Sequence, residues 1–313
     1  ALSDLLSELT VAVLWGHIAK AWGSLGAPPP TPHPVLCLHR WLDNANSFNK
    51  LISLLPQVFH YVAMDFGGHG LSSHYSPGFL YHFQDFVNEV RRVVSALKWN
   101  RFSLLGHSFG GVVGGMFACV FPEMMDKLIL LDSVPFFLDS DEVEHLLTYK
   151  RRAIEHMMQL EASQKPPQVV SPEEMLQTRF LKNNISVGEE CGKLLLQRGT
   201  TQAATEDIIL HRENPRNLPP EHCVDFVSRE LLMHAIGKLQ ACSLLSRPQQ
   251  GYYSMKPAGK SNRESTLFMI ETMKSILRER FQYVEVSGNY YVHMNAAHLV
   301  APIVSIFLRS QES

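Results

Sequence analysis

The sequence lacks most features that would take a chain out of ordinary globular chemistry. Its five cysteines, Cys37, Cys119, Cys191, Cys223 and Cys242, are odd in number and widely spaced, with no C-x-x-C pair. Zinc ribbons and dithiol redox sites need close pairs, so neither a metal site nor a redox site is expected. The cysteines read as reduced small hydrophobes, the usual state in an intracellular protein. No uninterrupted apolar run is long enough to span a bilayer. The first residues carry no basic cluster and include Asp4 and Glu8, so no secretory signal is expected. The final "RSQES" is not the S-K-L peroxisomal address. A net charge of -2 over 313 residues leaves no bulk field to attract nucleic acid or an anionic membrane. There is no internal repeat and no low-complexity segment.

What remains is an average globular composition, 45% hydrophobic and 19% charged. The length suits one α/β core with an insertion. "LTVAVLWGHIAKAWGS", broken at Gly16, reads as a two-stranded hairpin, and the proline-rich "APPPTPHP" (27–34) as a stiff turn. Short apolar runs then alternate with helical patterns. "VLCLH" (35–39) and "YVAMDF" (61–66) are strands, with a helix at "FNKLISLLPQV" between them. "YHFQDFVNEVRRVVSALKW" is a helix, "RFSLLGHS" a strand, "GGVVGGMFACVFP" a helix and "KLILLDS" (127–133) a strand. These strands lack polar alternation, so both their faces must be buried. That predicts an α/β fold with a mainly parallel twisted sheet flanked by helices.

After residue 134 the rhythm changes. The block 135–230 is charged and helical, and within it "SPEE" offers Ser171 as N-cap, Pro172 as first helical residue and Glu174 at the capping-box position. The alternation then returns with a strand at "QACSLLS", a helix at "RESTLFMIETMKSILRERF", a strand at "QYVEVSG" and a helix at "AAHLVAPIVSIFL". The expected organisation is a core of 1–134 and 231–313 with a helical insertion at 135–230.

One motif carries chemistry. "GHSFG" at 106–110 fits the G-x-S-x-G nucleophile elbow, in which a serine sits on a sharp strand-to-helix turn. The competing interpretation is a loose glycine-rich turn. The motif's required context is present, because an apolar strand precedes it and a small-residue helix follows. A serine hydroxyl is a weak nucleophile and needs a base. Two histidines follow the last strand, His293 and His298. His293 is favoured because it falls in the loop before the final helix, whereas His298 falls within or at the start of that helix. An oxyanion hole takes two backbone N–H donors. Phe109, just after the serine, offers one, and Trp41, just past the "VLCLH" strand, the other.

These stretches, with "FQYVEVSGNYYVHM", resemble the α/β-hydrolase superfamily, and within it the vertebrate serine hydrolase-like proteins. The resemblance covers nearly the whole chain. It implies a helical cap, a Ser–acid–His triad, no cofactor, and cytosolic, perinuclear and peroxisomal placement. Two positions depart from the family pattern. The oxyanion loop usually reads His-Gly, whereas His39 is followed here by Arg40, which either distorts that loop or points its guanidinium into the site. Relatives often place the acid in a G-Y-[FY]-D segment, whereas this chain reads "GYYS" with Ser254 in that place, and no Asp or Glu occurs between Glu230 and Glu264. The alternative acid is Asp132, at the end of "KLILLD", a placement similar to that in certain haloalkane dehalogenases and the Renilla-type luciferase. Asp132 either completes the triad or only caps its strand. Asp65 is read as the organiser of the turn that follows it, and Asp43 and Asn44 as shaping the oxyanion loop.

Two functions follow. One is a serine hydrolase cleaving a small or medium apolar ester, thioester or amide through an acyl-enzyme at Ser108. The other is a catalytically impaired relative that binds a ligand or partner. A dehalogenase-like enzyme would need a carboxylate nucleophile at the elbow, where this chain has Ser108.

Overall fold

The apolar runs become strands because each can be covered on both faces. The computed structural model describes residues 6–13, 17–24, 33–74, 82–136, 138, 143–162, 169–181, 187–202, 208–210, 227–251 and 260–310. The hairpin is present as β1 (Leu6–Val13) and β2 (His17–Ser24). It is followed by β3 (Pro34–Leu38), a short helix α1 (Asn49–Ile52), β4 (His60–Met64), α2 (Phe83–Ala96), β5 (Phe102–His107), α3 (Phe109–Val120) and β6 (Met125–Leu131). Beyond the intervening block the chain resumes with α7 (Arg229–Lys238), β10 (Cys242–Gln250), α8 (Lys260–Leu277), β11 (Phe281–Asn289), α9 (Val292–Asn295) and α10 (Ala297–Arg309). The eight core strands form one sheet in the order β1-β2-β4-β3-β5-β6-β10-β11. All pairings from β4 to β11 are parallel, and the hairpin joins antiparallel at β4.

Side chains alternate strictly across this sheet, as the two-residue period of a strand requires. Leu36, Leu38, Val62, Met64, Leu104, Leu128 and Leu130 face α2, α3, α7 and α8. Val35, Cys37, Tyr61, Ala63, Leu105, Ile129 and Leu131 face α1 and α10. The expected helix at 48–58 is shorter, running as a 3-10 turn Ala45–Phe48 and then Asn49–Ile52. Pro56 disfavours helical backbone in the residue before it and stops the element early.

The block between β6 and β10 holds α4 (Val143–Ala162), α5 (Pro172–Glu174), a π-helical stretch Met175–Leu181 and α6 (Glu189–Gly199). Ser171 caps α5, its hydroxyl accepting from the Glu174 N–H at 3.1 Å. The block also contains three short strands, β7 (Val169–Val170), β8 (Thr200–Gln202) and β9 (Ile208–Leu210), in an antiparallel sheet ordered β7-β9-β8. Strands of two or three residues carry no periodicity that a sequence could show. Among the described residues no helix is long and apolar enough to cross a membrane.

Helix α6 fastens to the loop that follows β3. Asn44 Nδ2 donates to Leu195 O at 2.8 Å, and Asn46 Nδ2 donates to Leu194 O at 2.9 Å. The buried Arg198 Nε donates to Asp65 at 2.7 Å. A separate apolar cluster joins Met175, Leu176, Cys191, Leu195 and Leu196 to Tyr290, Tyr291 and Met294. This places α6 over the ends of the parallel strands.

Candidate active site

Ser108 stands alone between β5 and α3, with φ 50° and ψ −117°. That conformation costs a serine about 1–3 kcal/mol and persists only where its surroundings over-determine it. They do. The Ser108 N–H donates to Leu131 O at 3.1 Å, and its carbonyl accepts from the Gly111 N–H at 2.9 Å and from Ser133 Oγ at 2.5 Å. The flanking glycines are there for space. A Cβ on Gly106 would lie 2.5 Å from Gly111 Cα, and one on Gly110 would lie 2.1 Å from Leu38 O. Both obstacles are backbone and cannot swing aside. The segment is therefore a strained corner and not a loose turn.

The other candidates also follow the C-terminal ends of strands, the edge where open parallel sheets place their ligands. Trp41 lies just beyond β3, its ring edge-on to Phe109 at 5.2 Å and to His69 at 5.0 Å. The two proposed oxyanion donors are thus on loops that touch. Phe109 opens α3, where the N–H has no intrahelical acceptor and the helix dipole is positive.

Arg40 itself does not take left-handed backbone. The left-handed residue there is Leu42, at φ 65°. The Arg40 guanidinium donates from Nε to Trp41 O at 3.1 Å and from a terminal nitrogen to Tyr291 Oη at 2.5 Å. It lies 5.5 Å from the Tyr290 ring centroid, so it does border the site. Asp43 accepts from Tyr291 Oη at 3.0 Å, and Asn44 caps the following 3-10 turn. Asp65 organises its turn through Leu71 N–H at 2.9 Å and also binds Ala45 N–H at 2.7 Å. Its ion pair with Arg198, 133 residues away, has no local signal in the sequence.

Asp132 follows β6 at φ 39°, buried, with its N–H donating to Ser246 O at 2.9 Å. A Cβ on Gly251 would come within 2.5 Å of its carboxylate, so glycine there makes room for it. Its charge is felt at Tyr290. Ser254 lies outside the described residues.

His293 makes no hydrogen bond to Ser108 among the described residues. The hydroxyl of Ser108 instead accepts a hydrogen bond from the buried Tyr290 Oη–H. His293 sits three residues further on, in α9, with its ring centroid 4.1 Å from that of His107 and 5.8 Å from that of Phe48. Both of its ring nitrogens are buried, and neither has a hydrogen-bond partner among the described residues. Burial alone pushes its imidazole down to about 3, with no carboxylate opposing the shift. The physical reason is register. β11 ends at Asn289, so the first residue of the turn, Tyr290, is the one delivered to the elbow. His298 is exposed on α10.

Tyr290 is the residue that reasoning from sequence missed. Its signal was position, directly after the last strand, and not residue type. Burial above all, with the charges of Asp132 and Asp43, pushes its phenol above the ordinary range, while Arg40 and the Ser108 hydrogen bond pull the other way without reversing it. The phenol is neutral and can donate a proton in a hydrogen bond but cannot take one away.

A parallel sheet carrying a strained serine corner, with a helix N-terminus and a second loop converging on it, defines the α/β-hydrolase class. Residues 33–172 match the family model of the alpha/beta hydrolase fold. Serine hydrolase-like protein 2 of Homo sapiens is 62% identical over 310 residues, spanning 99% of this chain and 96% of its own length. Serine hydrolase-like protein of Mus musculus is 58% identical over 305 residues, spanning 97% of this chain and 96% of its own. Among solved structures, a hypothetical protein of Pseudomonas aeruginosa PAO1 superposes with a TM-score of 0.78 at 26% identity, covering 97% of this chain and 99% of its own. The chain belongs to the serine hydrolase-like family of α/β-hydrolase fold proteins, which places it among the hydrolases.

Proposed function

We propose that the protein acts on a small or medium apolar ester, thioester or amide through an acyl-enzyme at Ser108. The observation that carries this is the serine's strained corner, which exposes a hydroxyl beside the N-terminus of α3 at a strain of about 1–3 kcal/mol. In this reading the Phe109 and Trp41 amides receive the oxyanion and Asp132 is the acid of the site. The block 135–230 serves as the cap, and the Met, Leu and Cys side chains it packs around Tyr290 and Tyr291 favour an apolar acyl group. Among the described residues no histidine hydrogen-bonds the Ser108 hydroxyl, and slow turnover is the expected outcome. Hydrolases that lose a triad member retain about 10³–10⁴-fold catalysis over water from binding and the oxyanion hole. The test is covalent labelling with a fluorophosphonate, read by mass spectrometry. Slow labelling at Ser108 that disappears in Ser108→Ala supports the reading, and an unlabelled folded protein removes it.

A second reading is ligand binding without turnover, favoured by the Tyr290–Ser108 hydrogen bond. Calorimetry with an apolar ester and its product acid separates the two. An ester that the parent protein binds without consuming, with binding undiminished in Ser108→Ala, supports the second reading.

A further inference from the structure

We propose that Tyr290 occupies the station of the general base and restrains Ser108, so that a histidine at this one position would convert the elbow into a competent nucleophile. The inference rests on the reading of Ser108 as the reacting group.

The geometry argues for a prepared station. Among the described residues, the one side chain that hydrogen-bonds Ser108 Oγ is Tyr290. The Tyr290 backbone is fixed independently of its ring. Its carbonyl contacts His107 Nε2 at 3.2 Å, and the next N–H, that of Tyr291, donates to Asn289 Oδ1 at 3.1 Å. A substitution at 290 therefore changes the group presented to Ser108 while the turn stays in place. The charged and titratable groups facing the ring come from three other loops: Arg40 and Asp43 after β3, Asp132 after β6, and His107 at the end of β5. The charges of Asp132 and Asp43 thus already act on the position an imidazole would take.

The chemistry explains the restraint. When Ser108 Oγ attacks, its proton must leave. A tyrosine near neutral pH is overwhelmingly the phenol, less than about one part in a thousand phenolate even at its ordinary pKa of about 10. It offers no lone pair of useful basicity, and by donating to Oγ it occupies the electron pair that would attack. An imidazole at 290 reverses both effects. With a fluorophosphonate, the Oγ–P bond forms and the P–F bond breaks. Fluoride leaves with that electron pair, and the serine proton passes to the imidazole.

The experiment measures the labelling rate of Ser108 by a fluorophosphonate in the full chain and in Tyr290→His, Tyr290→Phe and His293→Gln, with Ser108→Ala as control. Tyr290→His is expected to label about 10²-fold faster or more, the contribution of a positioned base. Its rate should rise with pH as an imidazole deprotonates. Tyr290→Phe, nearly isosteric, is expected to label several-fold faster without that pH dependence, because it removes the restraint without supplying a base. If Tyr290→His does not fold, the Phe variant decides: a rate no faster than the parent's overturns the restraint. Equal rates in all position-290 variants, with labelling lost in His293→Gln, overturn the proposal and return the base role to His293. Labelling in none of the proteins, or labelling that survives Ser108→Ala, overturns the reading of Ser108 itself and the inference with it. That pattern is distinct because it does not vary with residue 290.

Discussion

Two turns at the same edge of the sheet behave differently. The turn after β5 is fixed atom by atom: glycines at 106 and 110 admit backbone at contact distance, and four hydrogen bonds hold Ser108 in a conformation serine dislikes. The turn after β11 is fixed in its backbone, yet the side chain it sends to Ser108 is a phenol with no base character. The comparison teaches that a catalytic frame and a catalytic group are separable. The frame depends on many backbone contacts that no single substitution supplies. The group depends on one residue, and one substitution can change it.

Several substitutions sharpen that contrast. The largest effect is expected where the frame is anchored. Arg198→Ala leaves the buried Asp65 carboxylate without its cation and should destabilise by about 3–5 kcal/mol, read by denaturant unfolding. Next comes acid. His293 and His107 are buried and neutral, both with imidazoles pushed below the ordinary range. The unfolded chain takes up their protons below a pH of about 6.5, whereas the folded protein resists. Stability should therefore fall as pH drops from there toward about 3, the folded value at His293, by up to about 1.4 kcal/mol per pH unit for each group. His293→Phe should flatten this slope, and an unchanged slope would show that the pocket does not exclude protons. Gly110→Ala forces a methyl against Leu38 O and should cost about 1–3 kcal/mol or more. Smallest is Ser108→Gly, which relieves the positive φ and should stabilise by about 1 kcal/mol while abolishing labelling. A loss of stability there would mean that the corner is not strained.

Much of the sheet was legible because strands buried on both faces show apolar runs without alternation, as at 102–107. The Ser171 cap was legible because capping chemistry is local. The elbow was legible because its glycines answer a steric demand at fixed spacing. The Tyr290 contact was not. His293 was favoured for its place in the loop before the final helix, whereas the hydrogen bond to Ser108 comes from the first residue after β11, three residues earlier. The Arg198–Asp65 pair was illegible because its partners meet through the tertiary fold alone. For Arg40 the sequence left two alternatives, a distorted loop or a guanidinium turned toward the site, and the guanidinium lies against Tyr290 and Tyr291 while the left-handed residue of the loop is Leu42.

Asp65 holds three things at once: the Ala45 amide of the loop after β3, the Leu71 amide of its own turn, and the guanidinium of helix α6. Helix α6 and the loop after β3 therefore share one carboxylate. Separating α6 from that loop would part opposite charges inside apolar surroundings, where dissolved salt screens weakly, so this tie between the two elements should barely change with ionic strength.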